Sequence, residues 1–229
     1  TVQSTNSDIH FGTGAATLTS DSVVDSSGGT ITFGGILDGF AGGENLTLTA
    51  GTGDIDFDAA VGTTRLGDVL VNSVATMTAD FGFNAASFEQ TAGSVATTFT
   101  GALDVTNDVT ITNGTDVTFS STVNATEISQ VAGSGTTTFN GAVTTDGGNG
   151  VNVTNGDIDL NNTITTIGDG TVDLDADTGD LDIAAAGNIS ADGAVTLSAG
   201  AGAINTAGDV TTTDDNITFT DATVLTGNV

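Results

Sequence analysis

Residues Gly101 to Ser120, GALDVTNDVTITNGTDVTFS, carry one small pattern three times over. Leu103 and Val105, Val109 and Ile111, and Val117 and Phe119 each flank a single polar residue. Successive side chains of an extended chain point to opposite faces, so each pair sends both apolar groups one way and the Asp or Thr between them the other. Three short strands follow. The breaks fall at Asn107-Asp108 and Asn113-Gly114, where Asn and Gly readily take the left-handed backbone that a corner requires. The segment predicts one three-sided coil.

The same unit recurs outward from this stretch. Phe88 to Ala102 (FEQTAGSVATTFTGA) matches Ile128 to Ala142 (ISQVAGSGTTTFNGA) at an offset of 40, which is two units. Phe99, Phe119 and Phe139 stand 20 apart, Phe33, Phe57 and Phe81 stand 24 apart, and Leu160, Ile183 and Ile204 continue the series. The mean interval is about 21 residues, within the range of stacked solenoid coils. Asn155-Gly156 is expected to repeat the second corner, and Thr178-Gly179 to stand in the corresponding place before Leu181 and Ile183. The reading is an all-β parallel β-helix (β-solenoid) of about 10–11 turns, one domain over residues 1–229, with 1–30 as irregular or atypical first turns. A single coil cannot offset the entropy of ordering itself; stacking covers both sides of every interior ring and adds strand-to-strand hydrogen bonds, giving a rod about 50 Å long. A β-sandwich would have no reason to keep Phe at such intervals, and a left-handed hexapeptide helix would show a six-residue beat. The interval of 18 between Phe81 and Phe99, and the region of Phe219, mark where coil boundaries are hardest to place.

Composition supports strands and turns. The chain has 33 Gly and no Pro, Cys, Trp or Tyr, and its hydrophobic content of 37% is too high for an acidic disordered segment. Its 29 acidic residues face a single Lys or Arg, Arg65, for a formal charge of -28. Such a surface repels phosphate backbones and anionic lipid, so neither nucleic acid nor membrane insertion is expected, and no apolar run reaches the length of a bilayer span. The charge also keeps a repetitive β protein soluble and discourages edge pairing. Without a charged and apolar leader at Thr1, the sequence reads as a mature or excised piece.

Three chemistries suggest themselves from the residue types present. Asp54, Asp56 and Asp58 alternate, as do Asp173, Asp175 and Asp177 and the pair Asp180 and Asp182, so Ca²⁺ is the candidate ion. Thr178 and Ala184 stand where a calcium loop would need Gly and Glu, however, and the bland reading is the solvated face of a strand. A carbohydrate-cleaving site would use paired carboxylates with cationic or aromatic helpers. The inventory offers His10 in a region expected to be irregular, Arg65 after an insertion-like stretch from Val61 to Gly67, and Phe; no catalytic residue and no required cofactor is assigned, and the chain is read as not an enzyme. Thr triplets at Thr47-Thr49, Thr98-Thr100 and Thr110-Thr112 could build an ice-binding ladder only by recurring at one fixed place in every turn. They, like the sequons at Asn45, Asn113 and Asn216, follow from composition.

The runs Leu46 to Phe57 (LTLTAGTGDIDF), Leu66 to Val74 (LGDVLVNSV) and Val172 to Ile183 (VDLDADTGDLDI) resemble the β-strand repeats of giant secreted bacterial surface proteins and filamentous-haemagglutinin-like adhesins. That resemblance extends from about Asn45 onward and implies a right-handed coil, export to the cell surface, and roles in attachment, matrix or extracellular filaments. The expected function is an extracellular structural or adhesive rod, a segment of a larger exoprotein or a filament subunit associating end to end, with surface glycans or matrix as partners. The alternative is a carbohydrate-binding or polysaccharide-degrading β-helix.

Overall fold

A computed structural model describes residues 1–227, and every regular element among them is a β-strand. All strand pairings are parallel, and they sort into three ladders that form the three sides of a β-solenoid. The first ladder runs from Ala16–Leu18 to Val210–Thr212, the second from Val2–Gln3 to Ile217–Phe219, and the third from Ile9–Phe11 to Thr223–Leu225. In the third, partners are between 19 residues apart (Ile204 and Thr223) and 24 apart (Ile31 and Ile55), which makes about 11 coils.

The three strands expected between Gly101 and Ser120 are Leu103–Val105, Asp108–Ile111 and Asp116–Phe119, one on each side. Their apolar pairs are buried and their central Asp or Thr only half-buried. Coil after coil repeats this arrangement, so one continuous core runs along the rod. The ladders begin within residues 1–30: His10 lies on the strand Ile9–Phe11, opposite Thr32. This corrects its expected place in an irregular region.

The interior file of the third side consists of Phe11, Phe33, Phe57, Ala79, Phe99, Phe119, Phe139, Leu160, Ile183, Thr206 and Leu225. Phe99, Phe119 and Phe139 align as expected, with rings stacked at 5.7 and 5.3 Å. Two members of the sequence series are misplaced. Phe81 is 58% exposed at a corner, and Ala79 holds the inward position instead. Ile204 aligns on Leu181, leaving Thr206 over Ile183.

Ala79 would leave a gap in an aromatic stack, and the other two sides fill it. Phe83 from the first ladder and Phe88 from the second meet Phe99 edge-on, at 5.6 and 5.1 Å, and Phe83 also meets Phe57 at 5.6 Å. Edge-to-face rings place a positive rim on a negative face, a favourable pairing beyond the area buried. The 18-residue interval thus resolves into a regular 20 from Ala79 to Phe99. Phe219 belongs to the second ladder, beside Leu197.

At particular positions of the corners between the second and third sides, stacking leaves no room for a side chain. A Cβ on Gly53 would lie 2.1 Å from the carbonyl oxygen of Gly29, and one on Gly202 would lie 2.2 Å from that of Gly179. Gly156 sits over Gly135 and Gly179 over Gly156, but Asn113-Gly114 is not in step with Asn155-Gly156. Gly133 covers Gly114, and Asn155 covers Gly133, a shift of one residue.

Inside the same corner the core turns polar. Fully buried Thr97 donates to Gln90 Oε1 at 2.7 Å, and Thr137 donates to Gln130 Oε1 at 2.8 Å. Asn155, two coils above Thr115, donates to Thr137 Oγ1 at 2.8 Å and to the Thr115 carbonyl at 3.1 Å. The Nε2 groups of both glutamines are buried without a partner among the described residues.

Candidate functional site

Much of the acidic inventory has a structural use that sequence reading missed. At the entry to the third side, an Asp carboxylate accepts the backbone N–H of the equivalent residue one coil later. Asp8 does so for Thr30 (2.9 Å), Asp54 for Thr76 (3.0 Å), Asp116 for Thr136 (3.0 Å), Asp157 for Asp180 (2.9 Å) and Asp180 for Ala203 (2.8 Å). A charge-assisted bond of this kind satisfies a corner N–H that the strand ladders leave over. The signal was present as Gly-Asp before an apolar-x-apolar triplet, at Gly53-Asp54, Gly156-Asp157 and Gly179-Asp180.

The two calcium candidates lie on different sides. Asp56 is on the strand Ile55–Phe57 of the third ladder, with Asp54 before it and Asp58 after, whereas Asp173 and Asp175 are on Val172–Ala176 of the second, with Asp177 beyond. No group of three or more His, Cys, Asp or Glu arranged to hold a metal occurs among the described residues. Within each set the carboxylates crowd one another. Partial burial, then Asp54, Asp58 and Asp80, pushes the Asp56 carboxyl above the usual range; burial and Asp175 do the same to Asp173. Asp159 is raised by burial and by Asp182, its partner one coil up, and by Asp157. Asp192 and Asp221 are held below the usual range, chiefly by the backbone N–H of Asp169 and of Ala199 respectively.

Threonines do align over part of the rod. Thr78, Thr98, Thr118 and Thr138 occupy the outward centre of the third side in four successive coils. Asp56 precedes this file and Asp159 follows it, and the triplets at Thr47 and Thr110 belong to the second side.

Arg65 and His10 are not brought together. The insertion read at Val61 to Gly67 is a bulge in the strand Val61–Ala79: Val61 pairs with Phe83 and Leu66 with Ala85, so 62–65 loop out of the ladder. From below, Asp38 accepts the Thr63 hydroxyl at 2.7 Å and the Thr64 N–H at 2.9 Å. Above it, the Arg65 guanidinium donates to the Ala85 and Asp104 carbonyls at 2.9 and 2.6 Å and pairs with the Asp104 carboxylate at 2.9 Å. This is the one ion pair among the described residues, and it adds a charged tie between coils already held by ladders, core and side-chain hydrogen bonds such as that from Ser87 to Asp68.

Asp104 opens a groove of about 370 Å³ that runs along the rod axis. One bank is the outward file Asp104, Asn124 and Thr144, in register on adjacent coils. The other is the corner file Thr106, Thr126 and Asp146, stitched by a bond from the Thr126 hydroxyl to the Thr106 carbonyl at 3.1 Å. Ile167, 52% exposed, closes the far end. No family model, curated protein or solved structure matches the chain.

Proposed function

We propose that this chain is an extracellular structural or adhesive rod, a stretch of a surface exoprotein or the subunit of a filament, and that it has no enzymatic activity. The observation that supports the reading most is the continuous core through about 11 coils, with acidic groups such as Asp54 and Asp157 outside it that hold neighbouring coils together. A coil of this kind transmits load along its axis through three parallel hydrogen-bond ladders. Its charge of -28 favours solubility at a cell surface and disfavours nucleic acid and anionic membrane. Surface glycans or matrix are the partners proposed for attachment, and Ca²⁺ is a counter-ion of the acidic faces, without a required cofactor.

End-to-end self-association belongs to the same proposal. Ile217, Phe219 and Leu225 are exposed around an opening of about 310 Å³, and apolar groups of this kind favour burial against a further coil, whether of the same chain or of a second copy. Antibody labelling of unpermeabilised source cells tests location, and electron microscopy at high protein and Ca²⁺ concentration tests filaments. Absence of surface label sinks the extracellular reading; dispersed monomers alone sink self-association. The competing reading, a polysaccharide-degrading β-helix, draws on the axial groove. Reducing ends released from a glycan panel, with loss of turnover in Asp146→Asn, would establish it and displace the rod.

A further inference from the structure

The groove between Asp104 and Ile167 is set apart by its shape and by a neutralised carboxylate. Asp56, Asp159 and Asp173 stand on outward files of the other sides without a cation beside them, but here the single guanidinium of the chain, Arg65, neutralises Asp104 at the groove's near end. One unpaired carboxylate, Asp146, remains in the lining. The other polar groups are neutral: the Asn124 amide and the hydroxyls of Thr106, Thr126 and Thr144. Asn124, Thr144 and Asp146 are exposed, while Thr145 is fully buried in the inner wall with a hydroxyl that has no partner among the described residues.

From this combination we infer that the groove is a binding site for a neutral, linear oligosaccharide lying parallel to the rod axis. Three physical arguments select that ligand. The lining offers groups that both donate and accept, which suits the hydroxyls of a sugar, and only Asp146 would attract a cation. The net charge of the chain repels an anionic polymer. Finally, the two banks repeat at the coil spacing of about 4.8 Å and are fixed by backbone ladders, so an extended polymer meets several preorganised contacts at little entropic cost. The inference rests on the adhesive reading above and gives it a specific surface.

Titration of the isotope-labelled chain with cellohexaose, chitohexaose and, as the charged counterpart, hexagalacturonate tests it by NMR. At least one neutral probe is expected to give saturable shifts confined to residues 104–106, 124–126, 144–146 and 167, and the anionic probe none. Asn124→Ala with Thr144→Val is expected to weaken binding by about 25-fold, at roughly fivefold for each lost hydrogen bond. Thr118→Val, on another side of the rod, should leave it unchanged. No saturable shift with either neutral probe, equal loss in Thr118→Val, or tighter binding of hexagalacturonate would overturn the inference. Attachment of the chain to glycan-coated surfaces is measured in parallel. Attachment that survives the groove variant removes only the groove, whereas groove binding without attachment removes only the adhesive role.

Discussion

Replacing Phe99 with Ala and, separately, Phe81 with Ala asks which phenylalanine belongs to the core where the regular series is interrupted. Phe99 is 1% exposed and its ring touches three others, Phe83, Phe88 and Phe119, at 5.6, 5.1 and 5.7 Å. Truncating a buried Phe costs about 3–5 kcal/mol. The upper part of that range applies here, because the vacated volume is bounded by rings from all three ladders and rigid parallel strands limit collapse. For a chain of this size about 4 kcal/mol corresponds to a fall in Tm of roughly 8–16 °C. Phe81 is 58% exposed, so Phe81→Ala should change stability by less than about 0.5 kcal/mol. Urea unfolding followed by circular dichroism measures both, with the slope checked for partial unfolding of the coil stack. Similar losses for the two variants, or a loss under about 1 kcal/mol for Phe99→Ala, would refute the placement of Ala79 rather than Phe81 in the interior file.

Three further outcomes are expected. Thr97→Val leaves the Gln90 carboxamide buried without its donor and should cost about 1–3 kcal/mol, while Thr97→Val with Gln90→Leu should recover most of it; a double-mutant cycle in urea checks this, and additive losses would refute it. Gly53→Ala forces a methyl carbon to 2.1 Å from the Gly29 carbonyl and should lower stability by about 1–3 kcal/mol or more, read as a lowered Tm. The pH dependence follows from Asp56, Asp108, Asp159 and Asp173, all raised first by burial and then by neighbouring carboxylates. In the window from the ordinary Asp value up to the raised ones, the folded chain binds more protons than the unfolded chain, so stability grows as pH falls through that window and is lost as pH rises through it. Asp192 and Asp221, which are lowered, act in the opposite sense below the ordinary value, so thermal melts from pH 7 downward should pass through a maximum in the acid range. Asp159→Asn should raise Tm at pH 7 and flatten that slope.

The repeat itself was legible because a strand pair with one face buried must alternate, and Leu103/Val105, Val109/Ile111 and Val117/Phe119 carry that alternation without interruption. Period, strand directions and the Phe99-Phe119-Phe139 file follow from local pattern and spacing. The file's continuation does not. Ala79 and Phe81 are both apolar and two residues apart, so alternation alone would point both inward, and only the corner after Asp80 turns Phe81 out. That Phe83 and Phe88 then fill the space is a fact about three sides meeting in one core, which no linear period contains. The same holds for Asp54, Asp157 and Asp180, whose partners are N–H groups 22–23 residues away. It holds also for Arg65, which finds Asp104 only because coils stack. The sequence determined what one coil must bury; the stacking of coils decided which polar groups meet, because those contacts run along an axis perpendicular to the chain.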